Sequence, residues 1–280
     1  MRLGGNLFEP CTTPEAWVAD ARRSGYTAVY WPLDAKAGED AVRSFAEAAR
    51  RADLVIAEVG AWANNPIDPD ESRREAAIAA CSERLATADR VGARCCVNVA
   101  GSRGPTWFGP HADNFSRETF DLIVQSVRRI IDAVRPERTF YSLECMEWVP
   151  PYSTENYLDL VRAVDRKAFA VHFDPVNLIW SPERYYRSGE VIREFVARLG
   201  PLIRSCHAKD LLLTDEATVH LKEVRPGLGG LDYRTYLREL SRLDPDLPLM
   251  IEHLATAQEF AEAAAYVRSV AREAGVAIDD

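Results

Sequence analysis

Ala168-Phe-Ala-Val-His-Phe-Asp174-Pro-Val-Asn177 is a β-rich, nearly unbroken apolar run that ends on a carboxylate and turns into a longer amphipathic segment. Apolar strands without strict alternation are those of parallel sheets covered on both faces. Outward from this run the same unit recurs. The candidate strands are Leu3–Phe8, Thr27–Pro32, Leu54–Val59, Cys95–Ala100, Thr139–Glu144, Ala168–Asp174, Ile203–Lys209 and Pro248–His253. Eight such units alternating with helical segments predict an α/β fold, a single (β/α)8 barrel domain over residues 1–280. Helix starts support the division. Thr13 precedes Pro14 and Glu15, Asp232 opens Tyr-Arg-Thr-Tyr-Leu, and Thr256 opens Ala-Gln-Glu-Phe, all cap-like. No low-complexity linker divides the chain, and the longest connections, 101–114 and 211–231, read as active-site loops.

The bulk numbers agree with a globular barrel: 280 residues, 47% hydrophobic and 28% charged. No run approaches the ~20 apolar residues of a membrane span. The N-terminal Met-Arg-Leu-Gly-Gly-Asn-Leu-Phe-Glu-Pro lacks a secretory pattern, so a cytoplasmic address is expected. Cys11, Cys81, Cys95, Cys96, Cys145 and Cys206 form no C-x-x-C pair and read as reduced core thiols. A net charge of −9 opposes attraction to nucleic-acid phosphates. The partner expected is therefore a small molecule, with no nucleic acid and no membrane, and assembly into a homo-oligomer is open.

A barrel gathers its strand-to-helix loops on one face, so chemistry belongs at strand C-termini. The last four strands end in Tyr-Ser-Leu-Glu144, Val-His-Phe-Asp174, Ser-Cys-His207-Ala-Lys209-Asp and Met-Ile-Glu252-His. Each carboxylate alone is more often a cap or a loop ion pair. Four converging positions reverse that reading, because buried carboxylates are costly unless paired or coordinated. Three carboxylates and an imidazole suit one divalent metal ion, Mn2+ foremost, with Co2+, Mg2+ and Zn2+ as alternatives.

Other residues fill in around this set. His172 and His253 are expected one register away from the inward positions, as structural or supporting groups, and His111 and His220 are loop residues without a role. Trp31, Trp62, Trp107, Trp148 and Trp180 fall at or just beyond strand ends, whereas Trp17 lies on a helix. Aromatic faces around a polar centre suit the C–H faces of a carbohydrate, so Trp62, Trp107, Trp148 and Trp180 are expected to bind a sugar or polyol. Glu223-Val-Arg225-Pro-Gly227-Leu-Gly229-Gly-Leu-Asp232 lacks the dinucleotide and Walker fingerprints and is expected to shape the seventh loop. There Arg225 either holds substrate oxygens or makes a surface ion pair. Gly101-Ser-Arg-Gly-Pro-Thr-Trp-Phe-Gly has the composition of a lid.

With Leu-Glu144, Phe-Asp174-Pro-Val-Asn177, Cys-His207-Ala-Lys209-Asp, Ile-Glu252-His and Arg225-Pro-Gly-Leu-Gly, the chain resembles the xylose isomerase-like TIM barrel superfamily, most closely its sugar (phosphate) isomerase and epimerase branch. The resemblance implies that Glu144, Asp174, His207 and Glu252 bind one divalent metal, with Glu144 and Glu252 as acid–base pair on opposite faces of the substrate. It departs from the superfamily's apurinic endonucleases. Asn177 stands where they carry a histidine, and their D-x-H pair in the seventh loop is missing. Epimerases often carry that histidine too, so Asn177 becomes a substrate-binding candidate without a copied contact. Lys209 matches a lysine of several branches and joins the catalytic set. Taken together, the reading is a metal-dependent sugar isomerase or epimerase that forms an enediolate from a ketose or keto-sugar, with Lys209 and Arg225 stabilising it. The alternatives are a dehydratase or keto-glycoside lyase that eliminates from the same enediolate, and a non-catalytic sugar-binding barrel. Phosphorylated substrates are disfavoured by the absence of a phosphate cradle.

Overall fold

The structure is a computed structural model that describes residues 1–279. In chain order the strands are β1 (Arg2–Gly4), β2 (Ala28–Tyr30), β3 (Val55–Gly60), β4 (Cys95–Asn98), β5 (Tyr141–Glu144), β6 (Phe169–Phe173), β7 (Ile203–Ala208), β8 (Asp210–Leu213), β9 (Leu221–Val224) and β10 (Pro248–Ile251). β1 to β7 and β10 pair in parallel and close into a barrel, with β10 lying between β7 and β1. β8 and β9 form a separate antiparallel hairpin. The connection 211–231, expected to be a loop, is thus partly sheet.

Every barrel strand is short, and β4, β5, β6 and β10 are buried along their whole length. That double covering explains why their sequences do not alternate. Helices supply the outer layer. Thr13 accepts a hydrogen bond from the Ala16 amide, with Pro14 opening the first helix. Asp232 caps Tyr233–Leu240 through the Thr235 amide, and Thr256 with Glu259 makes a reciprocal capping box for Ala257–Ala274. Trp31, expected near the mouth, instead packs in the layer between barrel and helices against Trp17 and Phe45.

Two irregularities in strand pairing shape the interior. Against β2, β3 steps from Val29 opposite Ile56 to Tyr30 opposite Glu58, so Ala57 is an extra residue. Against β6, β7 steps from Val171 opposite Ile203 to His172 opposite Ser205, so Arg204 is extra. A bulge re-aims the residues after it. Here Glu58, His172 and Ser205 meet inside the barrel, beside a small apolar plug of Ala28, Ala57 and Met250. The expected outward register of His172 is therefore wrong. His172 is fully buried and shares a face with Asp174 two residues on, as the two-residue period of a strand requires.

Candidate metal centre and its cavity

Because the barrel strands are parallel, the ends of β5, β6, β7 and β10 open on one mouth. Glu144 is the last residue of β5, Asp174 follows β6, His207 lies near the end of β7 and Glu252 follows β10. His207 Nδ1 lies 2.7 Å from Glu252 Oε1, 3.2 Å from Glu144 Oε1 and 3.7 Å from Asp174 Oδ2. One ligand atom from each of the four falls within 4.8 Å of all the others. Lys209 closes the group. Its Nζ sits 2.6 Å from Glu252 Oε1, 2.9 Å from Asp174 Oδ2 and 3.6 Å from Glu144 Oε1. The same three carboxylate oxygens thus face both nitrogens.

The electrostatics follow from burial against charge. Burial alone would raise the carboxyl of Asp174, but Lys209 and His207 hold it well below the usual carboxylate range. Glu252 behaves alike: burial opposes ionisation, His207 and Lys209 override it, and its pKa falls to about 2. Burial disfavours the cations in turn. Yet Glu252, Glu58 and Glu144 hold His207 well above its ordinary value, and Asp174, Glu144 and Glu252 do the same for Lys209.

The donor set fits a divalent cation. Asp174 Oδ1 accepts from the Val176 amide, which leaves Oδ2 turned to the cluster. Asp174 Oδ2 and Glu252 Oε1 are buried, and the groups nearest them are the Lys209 ammonium and the His207 imidazole. Carboxylate oxygens gathered around one imidazole are a donor set that suits a divalent ion. Asn177 donates to Glu144 Oε1 at 3.0 Å and so orients a prospective ligand.

A cavity of about 450 Å³ lies over the cluster. Glu144, Glu252, Lys209 and Asn177 form its floor, and Trp62, Trp107, Phe108 and Trp148 supply an aromatic side. Phe108 joins Trp107 and Trp148 with ring centroids 5.3 and 5.1 Å apart. The loop that carries Trp107 and Phe108 is pinned at its root. Asn65 bonds Ser102, Ser102 Oγ donates to the Gly109 carbonyl, and Asn114 donates to the carbonyls of Gly109 and Trp148. Trp180 stands apart, half exposed under the Arg184 guanidinium at 4.3 Å, and does not line the cavity. A larger groove of about 720 Å³ runs beside helices Glu39–Arg51 and Glu71–Val91. Arg90 pairs with Glu39 within it, Arg94 and Asp246 pair with Asp244 and Arg2 outside its lining, and among the described residues none that line it belongs to a group that could hold a metal, so chemistry singles out the smaller cavity.

The glycine-rich segment has a different duty from the one its composition suggests. Asp210 takes hydrogen bonds from the amides of Leu211, Gly227, Gly229 and Leu231. The anion cradled there is the protein's own carboxylate. Arg225 pairs with Glu262 at 3.2 Å and is not among the cavity residues. Glu223 of β9 does reach the cavity, where His253 Nδ1 lies 3.1 Å from its carboxylate. A left-handed backbone at His253, φ 58°, turns this imidazole outward just after Glu252. Glu58, which stands in none of the sequence motifs above, is a further participant. Apolar residues precede it within a strand, the signal that singled out Glu144 and Glu252.

A family model described as Xylose isomerase-like TIM barrel matches residues 18–270. No curated protein matches the chain. Among solved structures, a xylose isomerase-like TIM barrel protein from Mycobacterium smegmatis in complex with magnesium is similar at TM-score 0.69 and 19% identity, over 94% of this chain and 90% of that one. D-psicose 3-epimerase from Clostridium cellulolyticum, with D-tagatose, is similar at TM-score 0.70 and 14% identity, covering 96% and 99%. The probable 3-DHS dehydratase of Bacillus anthracis is similar at TM-score 0.70 and 15% identity, covering 96% and 97%. At such identities the likeness is one of fold.

Proposed function

Because the chain belongs to the xylose isomerase-like TIM barrel family, we propose that it is a divalent-metal-dependent isomerase or epimerase of a ketose or keto-sugar. The observation that carries this reading is the convergence of Glu144, Asp174 and Glu252 oxygens on His207 Nδ1 beneath an aromatic-sided cavity. Those four side chains hold the metal, and Mn2+ is the first candidate for an oxygen-rich set with one imidazole. When bound, such an ion supplies positive charge next to substrate oxygens on which negative charge accumulates.

The chain's own residues perform the proton transfers. Glu252, kept ionised by His207 and Lys209, is placed to take a proton from the carbon beside the substrate carbonyl. The pair left by that C–H bond delocalises into the carbonyl as an enediolate, and the Lys209 ammonium neutralises the oxygen charge. Glu144, which enters this direction of the reaction protonated, gives its proton to the opposite face for an epimer. For an isomer a proton goes to the former carbonyl carbon, while the hydroxyl proton of the deprotonated carbon passes to the former carbonyl oxygen. The roles of the two glutamates exchange when the substrate enters as the other stereoisomer. Trp62, Trp107 and Trp148 stack against the C–H face of the sugar and exclude water. Arg225 and Trp180 have no part in this reading.

The experiment is incubation of metal-replete protein in D2O with a panel of ketoses and keto-sugars. Deuterium at carbon without loss of substrate oxygen is the expected result, and no exchange across the panel overturns the reading. One observation favours a dehydratase instead. The partly buried Glu147 carboxyl lines the cavity with Oε2 unpartnered, and burial raises its pKa, so it could protonate a departing hydroxyl. An unsaturated product in the same experiment selects that outcome.

A further inference from the structure

The carboxylate of Glu58 lies inside the barrel, on the side of His207 away from the cavity. Its Oε1 receives the Ser205 hydroxyl at 2.5 Å and faces His172 Nε2 at 3.0 Å. Its Oε2 faces His207 Nε2 at 3.5 Å. Oε2 and His207 Nε2 are both buried and neither has a hydrogen-bond partner, so the atom each faces across 3.5 Å is the other. The His172 ring packs edge-on to His207 with centroids 4.1 Å apart, which fixes the plane of the ligating imidazole.

A buried ion pair is a poor device for stability, since apolar residues of like volume serve as well or better. Its retention in a fully covered barrel interior calls for another role. A neutral imidazole carries one N–H and one lone pair, and a metal needs the lone pair. His207 presents Nδ1 to the three carboxylate oxygens, so an ion held among them would take the Nδ1 lone pair and leave the ring's one proton on Nε2, where Glu58 waits. Resting on the metal reading above, we propose that Glu58 is a positioning residue: through Oε2 it fixes the tautomer and ring orientation of the metal ligand His207 from inside the barrel. The bulge at Ala57 exists in consequence at a useful place, because it turns Glu58 inward.

Mn2+ titration of the full chain, followed by calorimetry or by the electron paramagnetic resonance of free Mn2+, tests this. Glu58→Gln keeps the shape and an acceptor but loses the charge, and Mn2+ affinity is expected to fall about 10-fold; Glu58→Leu is expected to lose about 100-fold. Excess Mn2+ should restore turnover of Glu58→Gln. Ser205→Ala, which perturbs the same packing but leaves Oε2 in place, should stay within about threefold of wild type. Wild-type affinity in a folded Glu58→Gln overturns the inference alone, as does an equal loss in Ser205→Ala. A wild-type chain that binds no divalent ion overturns the metal reading and the inference with it. If Glu58→Leu fails to fold, the comparison of Glu58→Gln with Ser205→Ala still decides.

Discussion

At the scale of single residues, Lys209 shows most sharply how the site is balanced. Three carboxylates share this ammonium and the His207 imidazole, so a divalent ion must enter against a resident cation. Lys209→Met removes that repulsion and leaves the ligands in place. It is expected to bind Mn2+ at least about tenfold more tightly in the absence of substrate, while turnover falls by about 10² or more because the enediolate loses its counter-charge. Mn2+ titration beside steady-state kinetics checks both, and weaker Mn2+ binding would remove Lys209 from this role. Glu144, Asp174, His207 and Glu252 were legible as candidates because a carboxylate or imidazole after an apolar run is conspicuous. Glu58 carries the same mark, yet nothing in a linear pattern reveals that a bulge one residue earlier aims it at His207.

At the scale of elements, the helix starts at Thr13, Asp232 and Thr256 agree with their sequence signals because capping is local chemistry. The strand ends were legible for a similar reason, although β1 and β2 prove shorter than their apolar runs. The hairpin of β8 and β9 was not. Its exposed residues carry no barrel pattern, and the segment that follows it is tied to Asp210, a contact that depends on the fold. Gly229 is the key to that contact. A Cβ there would stand 2.1 Å from the Leu211 carbonyl and 2.4 Å from Asp210 Oδ1. Gly229→Ala is therefore expected to cost about 2–3 kcal/mol, measured by denaturant unfolding. An unchanged midpoint would show that the segment between Asp210 and Asp232 tolerates displacement. Glu223, on β9, should then move with it, so the same variant is expected to raise KM.

At the scale of the whole molecule, the closed barrel converts four distant segments into one charged site, and its folding without metal depends on pH. Glu58, Asp174 and Glu252 titrate lower in the fold than the roughly 4 of an unfolded carboxyl. Each therefore contributes stability that is present above pH ~4 and disappears as pH falls through its folded value, near 2 for Glu252. His207, whose value is raised, is protonated in folded and unfolded chains alike throughout that window and adds no slope. Chelator-treated protein should accordingly lose melting temperature as pH is lowered from 5 toward 2, and a flat profile would contradict the charged cluster. No helix among the described residues is long and apolar enough to cross a membrane. The central claim is that this fold assembles one divalent-metal centre, and anomalous diffraction from crystals grown with Mn2+ addresses it most directly. A single strong peak touching Glu144, Asp174, His207 and Glu252 is the expected result. No peak there, or a peak held by other residues, would contradict it.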